Sequence, residues 1–349
     1  MRNKEKAMRV SRALGILTLV LMMPVRPVPA ADTLKIKLAT MAPDGSPWHK
    51  ILKDMGNEWQ EQTQGRVRLV IYPGGVAGDD RNTLRKIRHR QLHAGTLTVG
   101  GLSDIDPAFN VFSIPLFFDS YEEYAHVLEA MTPVLQERLE AKGFILLHWA
   151  YGGWVHIFSK QSVETVDDLK RLKMFTGAGD EGMVRLWKSN GFTPVALAPT
   201  DIMMGLQSGM IEGVPVPPLG ALAMQWFKHV PYMLDPGVAP LVGGTVISRE
   251  AWNKISEPDR TVLVKAAHRA EERLAREIPE KDSKSIDEME KRGLTVVRVE
   301  AGEGAASWRA TAESFAKKMR ASMVPEDVFD MAMKYRTDFR KGLPSQDPR

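Results

Sequence analysis

Thr165-Val-Asp-Asp-Leu-Lys-Arg-Leu-Lys-Met-Phe-Thr-Gly177, with Thr200-Asp-Ile-Met-Met-Gly-Leu-Gln-Ser-Gly209 and Ile211-Glu-Gly-Val-Pro-Val-Pro-Pro218 further on, decides the fold. Thr165 is a helix cap, and Asp167 and Asp168 suit the positive first turn that follows. The apolar run 172–175 halts at Thr176-Gly177-Ala-Gly179, a strand ending in a turn. Met183, Val184 and Trp187 recur at helical spacing over 182–190, and Gly191 closes that helix. A helix over 201–208 and a strand over 211–216 continue the rhythm, which is that of an α/β fold. Ligands in open α/β sheets bind beyond the carboxyl ends of strands. Phe175, Gly177, Val214 and Val216 therefore stand where a ligand is expected, and the site they promise is apolar.

The flanking chain repeats the pattern. Residues 34–39 read as a strand, Ser46 as an N-cap and Pro47 as a first helical residue. Trp48, Ile51, Leu52, Met55 and Trp59 then line one helix face. After a strand over 67–72, the loop 73–80 is rich in glycine but lacks the Gly-x-x-x-x-Gly-Lys spacing of a phosphate cradle. A basic helix is expected over 80–93, then a strand over 96–99 running into Gly100-Gly101. Ser120 and Glu123 have capping-box spacing, and Pro133 is expected to kink the helix they open. A strand over 144–150 leads into Tyr151-Gly-Gly-Trp154, the expected crossing between two lobes. Later come a strand over 241–248, a long helix from Ser256 to about Arg292 interrupted at Pro279, a strand over 294–299 and a helical tail.

The 349 residues suffice for two ordinary lobes, and 44% hydrophobic with 26% charged content is average for a globular chain. A net charge of +4 implies no nucleic-acid partner. The absence of cysteine excludes disulfides, thiolate metal sites and a cysteine nucleophile. Arg2, Lys4, Lys6, Arg9 and Arg12, the apolar run 13–23 and Val28-Pro-Ala30 follow the order of a secretory leader cleaved after about Ala30, which places the mature protein in the periplasm. The expected division is a leader over 1–30, a first lobe over 31–152 with about 238–275, a second lobe over 153–237 with about 276–342, and a disordered tail over 343–349.

Seven motifs in order resemble the DctP-family solute-binding proteins of tripartite ATP-independent periplasmic (TRAP) transporters. They are Ala39-x-x-x-Pro43, Pro73-Gly-Gly…Gly78, the basic helix before Gly95, Ile114-Pro-Leu-Phe-Phe118, Val166-Asp-Asp-Leu-Lys-Arg-Leu-Lys173, Leu206-Gln-Ser-Gly-Met-Ile-Glu-Gly213 and Ile247-Ser-Arg-Glu-Ala-Trp252. The resemblance implies a two-lobed α/β fold with a cleft between the lobes, a long bridging helix, hinge closure, and delivery to a small and a large permease subunit. It also implies a ligand-clamping arginine where this chain has Phe175, and an asparagine where it has Val216. Burying a carboxylate against Phe and Val without a guanidinium costs several kcal/mol. An apolar or lipid-like ligand is therefore expected, lined by Trp48, Gly101, Phe117, Trp154, Phe175, Gly177, Met183, Val214 and Val216.

Three alternatives remain open. Lys173 or Arg171 could hold a small carboxylate. The protein could carry lipid to a tetratricopeptide-repeat lipoprotein instead of a permease. An enzyme would need a catalytic constellation, and none of the known elbows or fingerprints is present. His148 and His156, beside the crossing, read as structural. His89 and His93 are four apart on a strongly basic face, so no metal is expected, and no cofactor.

Overall fold

The structure is a computed structural model and describes residues 33–299 and 303–342. The leader over 1–30 and the tail over 343–349 lie outside the described residues. The first lobe opens with β1 (Leu34–Thr40), α1 (Pro47–Gln62), β2 (Val67–Tyr72), α2 (Asp80–Arg88), β3 (Ala94–Thr98) and the short α3 (Val99–Ser103). β1 pairs in parallel with both β2 and β3. Ser46 caps α1 by accepting from the His49 main chain, with Pro47 in its first turn. A 3-10 stretch (Pro107–Ser113) and α4 (Tyr121–Ala141) lead into β4 (Phe144–Ser159).

The second lobe carries α5 (Val166–Arg171), β5 (Lys173–Gly177), α6 (Glu181–Ser189), β6 (Thr193–Leu197), α7 (Ile202–Ser208), β7 (Gly213–Val216), α8 (Pro218–Ala223) and β8 (Tyr232–Asp235). Thr165 and Asp168 form a reciprocal capping box at the start of α5. The chain then returns through β9 (Ala239–Ser248), α9 (Arg249–Asn253), α10 (Glu257–Glu290), β10 (Thr295–Arg298), α11 (Glu303–Ser322) and α12 (Glu326–Arg340). The strand order is β2-β1-β3-β9-β4-β7-β5-β6, with β8 beside the far end of β4 and β10 beside β8.

β4 is the spine. Residues Phe144 to Val155 pair antiparallel with β9, and His156 to Ser159 pair with β7. The chain therefore passes between lobes inside a hydrogen-bonded strand, where a strand ending at residue 150 was expected. The glycine pair that reads as a turn is a bulge: register shifts between Tyr151 and Gly153, and Gly153 has φ 114°. α10 joins the lobes a second time. Leu263, Leu274 and Ile278 pack under α1, while Met289 packs in the second lobe with Phe158, Ile202 and Val214. The interruption expected at Pro279 does not occur, because the buried flanking residues Ile278 and Asp282 hold the helix through the single bond a proline removes.

Two other expectations are corrected. Residues 276–342 do not all belong to the second lobe: α11 packs on α5 and α6, but α12 packs on α4 and the 3-10 stretch of the first lobe. Val328, Phe329, Ala332 and Tyr335 make the apolar face that takes it there. The basic helix stops at Arg88, since Arg90 adopts φ 61°, and His93 lies beyond it with Nδ1 accepting from the Lys37 main chain. His89 and His93 therefore share no helix face. Among the described residues no cluster of metal-ligating side chains occurs, and no helix is long and apolar enough to cross a membrane.

Candidate functional site

A cavity of about 260 Å³ opens where the carboxyl ends of β1, β3 and β7 meet the two crossing strands. The β1–α1 loop supplies Thr40, Met41, Ala42 and Pro43, and α1 supplies Trp48. Val216, Pro217, Met224 and Trp226 close it from the second lobe, and His148, Tyr151, Leu241 and Val242 form its back. No charged side chain is among these walls. The short loop between β1 and α1 forms because Gly45 adopts φ 72° just before the Ser46 cap. That places Trp48 in the first turn of α1, with Nε1 donating to Tyr151 O at 3.1 Å.

Most polar groups in the wall are already satisfied. The Thr96 and Thr245 hydroxyls share a hydrogen bond of 2.8 Å. The Thr98 hydroxyl and main chain both donate to Asp80, at 2.6 and 2.9 Å. Burial pushes the Asp80 carboxyl above its ordinary range, against the pull of those two bonds.

Two ring nitrogens are left over. Trp226 and His148 are 8% and 2% exposed, and Trp226 Nε1 and His148 Nε2 are buried without a partner. Burial pushes His148 down to about 4, so the ring is neutral. Its Nδ1 lies 2.8 Å from Trp149 O, and a carbonyl can only accept, so Nδ1 carries the proton. Nε2 is then an unused acceptor, while the indole Nε1 is an unused donor.

Trp48 and Val216 are the two expected site residues that this cavity brings together. The other seven lie elsewhere. Phe175 is half-buried against the second-lobe core with Val195 and Leu197, because alternation along β5 turns Met174 and Thr176 to the opposite face. Val214, fully buried, sits one strand repeat deeper than Val216 in that core. Gly177 has open space about it, and Met183 packs against the core that α11 covers. Gly101 is buried against Asp80. Phe117 packs edge-on to Phe329 of α12, at 6.0 Å between ring centres. Trp154 packs edge-on to Tyr121 at 5.0 Å, since β4 continues past the point where it was expected to end. The β1–α1 loop bears a family motif, Ala39-x-x-x-Pro43, that lies outside the expected site, His148 reads from the sequence as structural, and Trp226 carries no signal that separates it from core residues.

Two devices join the lobes at the edges of the site. Arg81 of α2 pairs with Asp104 at 3.2 Å and donates to Gly179 O, in the second lobe, at 2.8 Å. Asp282 of α10 accepts from the main chain of Trp154 at 2.9 Å, from that of Leu219 at 2.9 Å and from the Tyr121 hydroxyl at 3.2 Å. It thereby ties the crossing strand, α8 and α4 to one helix. Burial pushes the Asp282 carboxyl up to about 6, against the pull of the three donors.

Two α/β lobes joined by continuous strands, with a ligand-sized cavity between them, define a solute-binding receptor. The chain belongs to the DctP family, the bacterial extracellular solute-binding proteins of family 7, which it matches over residues 38–322. The extracytoplasmic solute receptor of Bordetella pertussis that binds pyroglutamic acid shares the fold, with a TM-score of 0.80 at 17% identity over 87% of this chain and 99% of that one. So does a TRAP periplasmic solute-binding protein of Haemophilus influenzae with bound L-gulonate, with a TM-score of 0.80 at 20% identity and the same coverage, 87% and 99%. The sialic acid-binding periplasmic protein SiaP of Vibrio cholerae is 21% identical over 77% of this chain and 84% of its own length. The uncharacterized protein YiiZ of Salmonella typhimurium is 26% identical over 49% of this chain, a match that spans only 53% of its own length. Members of the family are periplasmic receptors that bind a small molecule without transforming it and serve membrane permease subunits.

Proposed function

We propose that the chain captures a small, uncharged, mostly apolar solute between its lobes and delivers it to the permease subunits of a TRAP transporter. The supporting observation is the cavity wall: apolar side chains, one indole donor, one imidazole acceptor and no charge. A carboxylate there would be desolvated without a cation, at a cost of several kcal/mol. A solute hydroxyl, which donates and accepts, is a chemical match for either unpartnered nitrogen, the Trp226 donor or the His148 acceptor. The cavity of about 260 Å³ favours a compact ring or short branched skeleton over a long lipid chain.

The ligands named for the related proteins favour a second reading. L-gulonate and sialic acid are carboxylates. In that reading Arg81, the guanidinium that already spans from α2 to Gly179, leaves Asp104 and takes the anion. Lys173 is less suited, because its ammonium is held by Gly209 O at 2.9 Å on the exposed side of β5.

Native mass spectrometry of the gently purified protein, followed by calorimetry with the compound recovered, decides between them. A neutral compound is the expected result. Micromolar binding of L-gulonate or sialic acid, with no neutral compound retained, would overturn the uncharged reading. Export through a leader cleaved after about Ala30 is part of the proposal, and amino-terminal sequencing of the mature protein tests it. Pull-down against membranes expressing the permease subunits, compared with a tetratricopeptide-repeat lipoprotein, tests the recipient.

A further inference from the structure

A second cavity, of about 720 Å³, shares no wall residue with the first and is nearly three times its size. It lies between the 114–117 segment, the β8–β9 connection, α11 and α12. Most of its walls are apolar: Phe117, Leu234, Val238, Trp308, Phe329 and Met333. Yet basic side chains of α11 and α12 line it too, outnumbering the carboxylates of Asp119 and Glu313 there, and these bases differ in what they meet. Arg320 is paired with Asp330 and Glu326, and Arg340 with Glu123 and Asp119.

Arg336 has no carboxylate partner among the described residues. Its guanidinium lies 4.2 Å over the Phe117 ring, and Nη1 donates to Phe117 O at 2.7 Å. Nε is buried with no acceptor. Phe117 thus holds one side of the fork and leaves free the Nε–Nη2 edge, a pair of parallel donors that matches the two oxygens of a carboxylate. Burial, helped by the like charge of Arg340, holds the Arg336 pKa below its ordinary value against the pull of Glu123 and Asp119, neither of which pairs with it directly.

We propose that this cavity is a second ligand site, separate from the gap between the lobes, and that it takes an amphipathic carboxylate. The carboxylate sits on the free edge of Arg336, and its hydrocarbon or aryl body lies against Phe329, Met333 and Trp308. A bare dicarboxylate or a sugar acid meets the charge requirement but leaves the apolar walls wet. An alcohol of the same body fills the walls but leaves the guanidinium unpaired. Because α11 packs on the second lobe and α12 on the first, an occupant touches helices anchored to both.

The test is a fluorescence titration of the whole mature protein with 11-(dansylamino)undecanoate, followed by competition with decanoate and decanol. Expected are saturable one-to-one binding, displacement by decanoate, and at least about tenfold weaker displacement by decanol, which lacks the charge the guanidinium pairs with. Arg336→Met keeps the volume and removes the charge, and should weaken probe binding by about tenfold or more. Met333→Trp puts an indole where the body of the probe lies and should weaken probe binding by about tenfold or more in a protein that keeps its thermal melt, so a folding failure of the first variant does not decide the matter. Absence of saturable binding, equal competition by decanol, or a probe affinity unchanged in Met333→Trp would each overturn the proposal.

Discussion

Asp282→Ala removes the acceptor that joins three segments at the hinge. The main-chain donors of Trp154 and Leu219, each 2.9 Å from the carboxylate, lose their partner together. A buried donor left unpaired costs about 1–3 kcal/mol, so the pair sets a cost of about 2–6 kcal/mol, while the half-buried Tyr121 hydroxyl can turn to water. Against this stands the price of holding the charge. The folded carboxyl titrates at about 6, above the ~3.9 of an unfolded aspartate. Between those values the folded chain keeps a proton that the unfolded chain releases. The contribution of this group is therefore full below about pH 4 and is lost as pH rises through about 6. Alanine carries no such dependence, and all other titrating groups are common to both proteins. The cost of the substitution should fall by about 1.4 kcal/mol between about pH 5 and about pH 7.5. Urea denaturation of both proteins at the two pH values measures it. A cost that is constant with pH, or that grows as pH rises, would refute the placement of an uncomfortable carboxylate at this joint.

Three further outcomes are expected. Gly153→Ala drives a methyl group into Asp282 Oδ2 at a residue with φ 114°, and should cost about 2–5 kcal/mol in a denaturation curve. The same change in an Asp282→Ala background should cost measurably less, since the two sites share one clash. Trp226→Phe deletes a buried donor that has no partner, so the ligand-free melt should hold or rise while calorimetry with the co-purified compound shows about fivefold weaker binding. Equal losses in both measurements would instead mark Trp226 as packing alone. Arg81→Ala breaks an exposed pair worth about 1 kcal/mol or less, so stability should barely change. Small-angle scattering should nevertheless show a larger radius for the ligand-free variant, because Gly179 O loses its tie across the gap.

Local rules made much of this protein legible from its residues. Ser46 before Pro47, Thr165 before Asp168, and the glycines after 142 and 190 mark helix ends through interactions that span only a few positions. The α/β order follows from those marks and from apolar periodicity, and the motif order led to the family. The walls of the site were not legible in the same way. Phe175 and Val216 lie on the same face of neighbouring strands, but the register that sets Met174 opposite Gly213 makes Phe175 level with Val214, one repeat short of Val216, and only Val216 reaches the cavity. Gly152-Gly153 looks like a turn until pairing with β9 makes it a bulge in one long strand. α12 carries an apolar face that any core could receive, and α4 receives it. The unused nitrogens of His148 and Trp226, and the half-occupied fork of Arg336, exist only because strands and helices distant in sequence enclose them. Capping and periodicity are properties of a few adjacent residues, whereas register, burial and the pairing of a polar atom are properties of what the folded chain brings alongside, and the site was decided there.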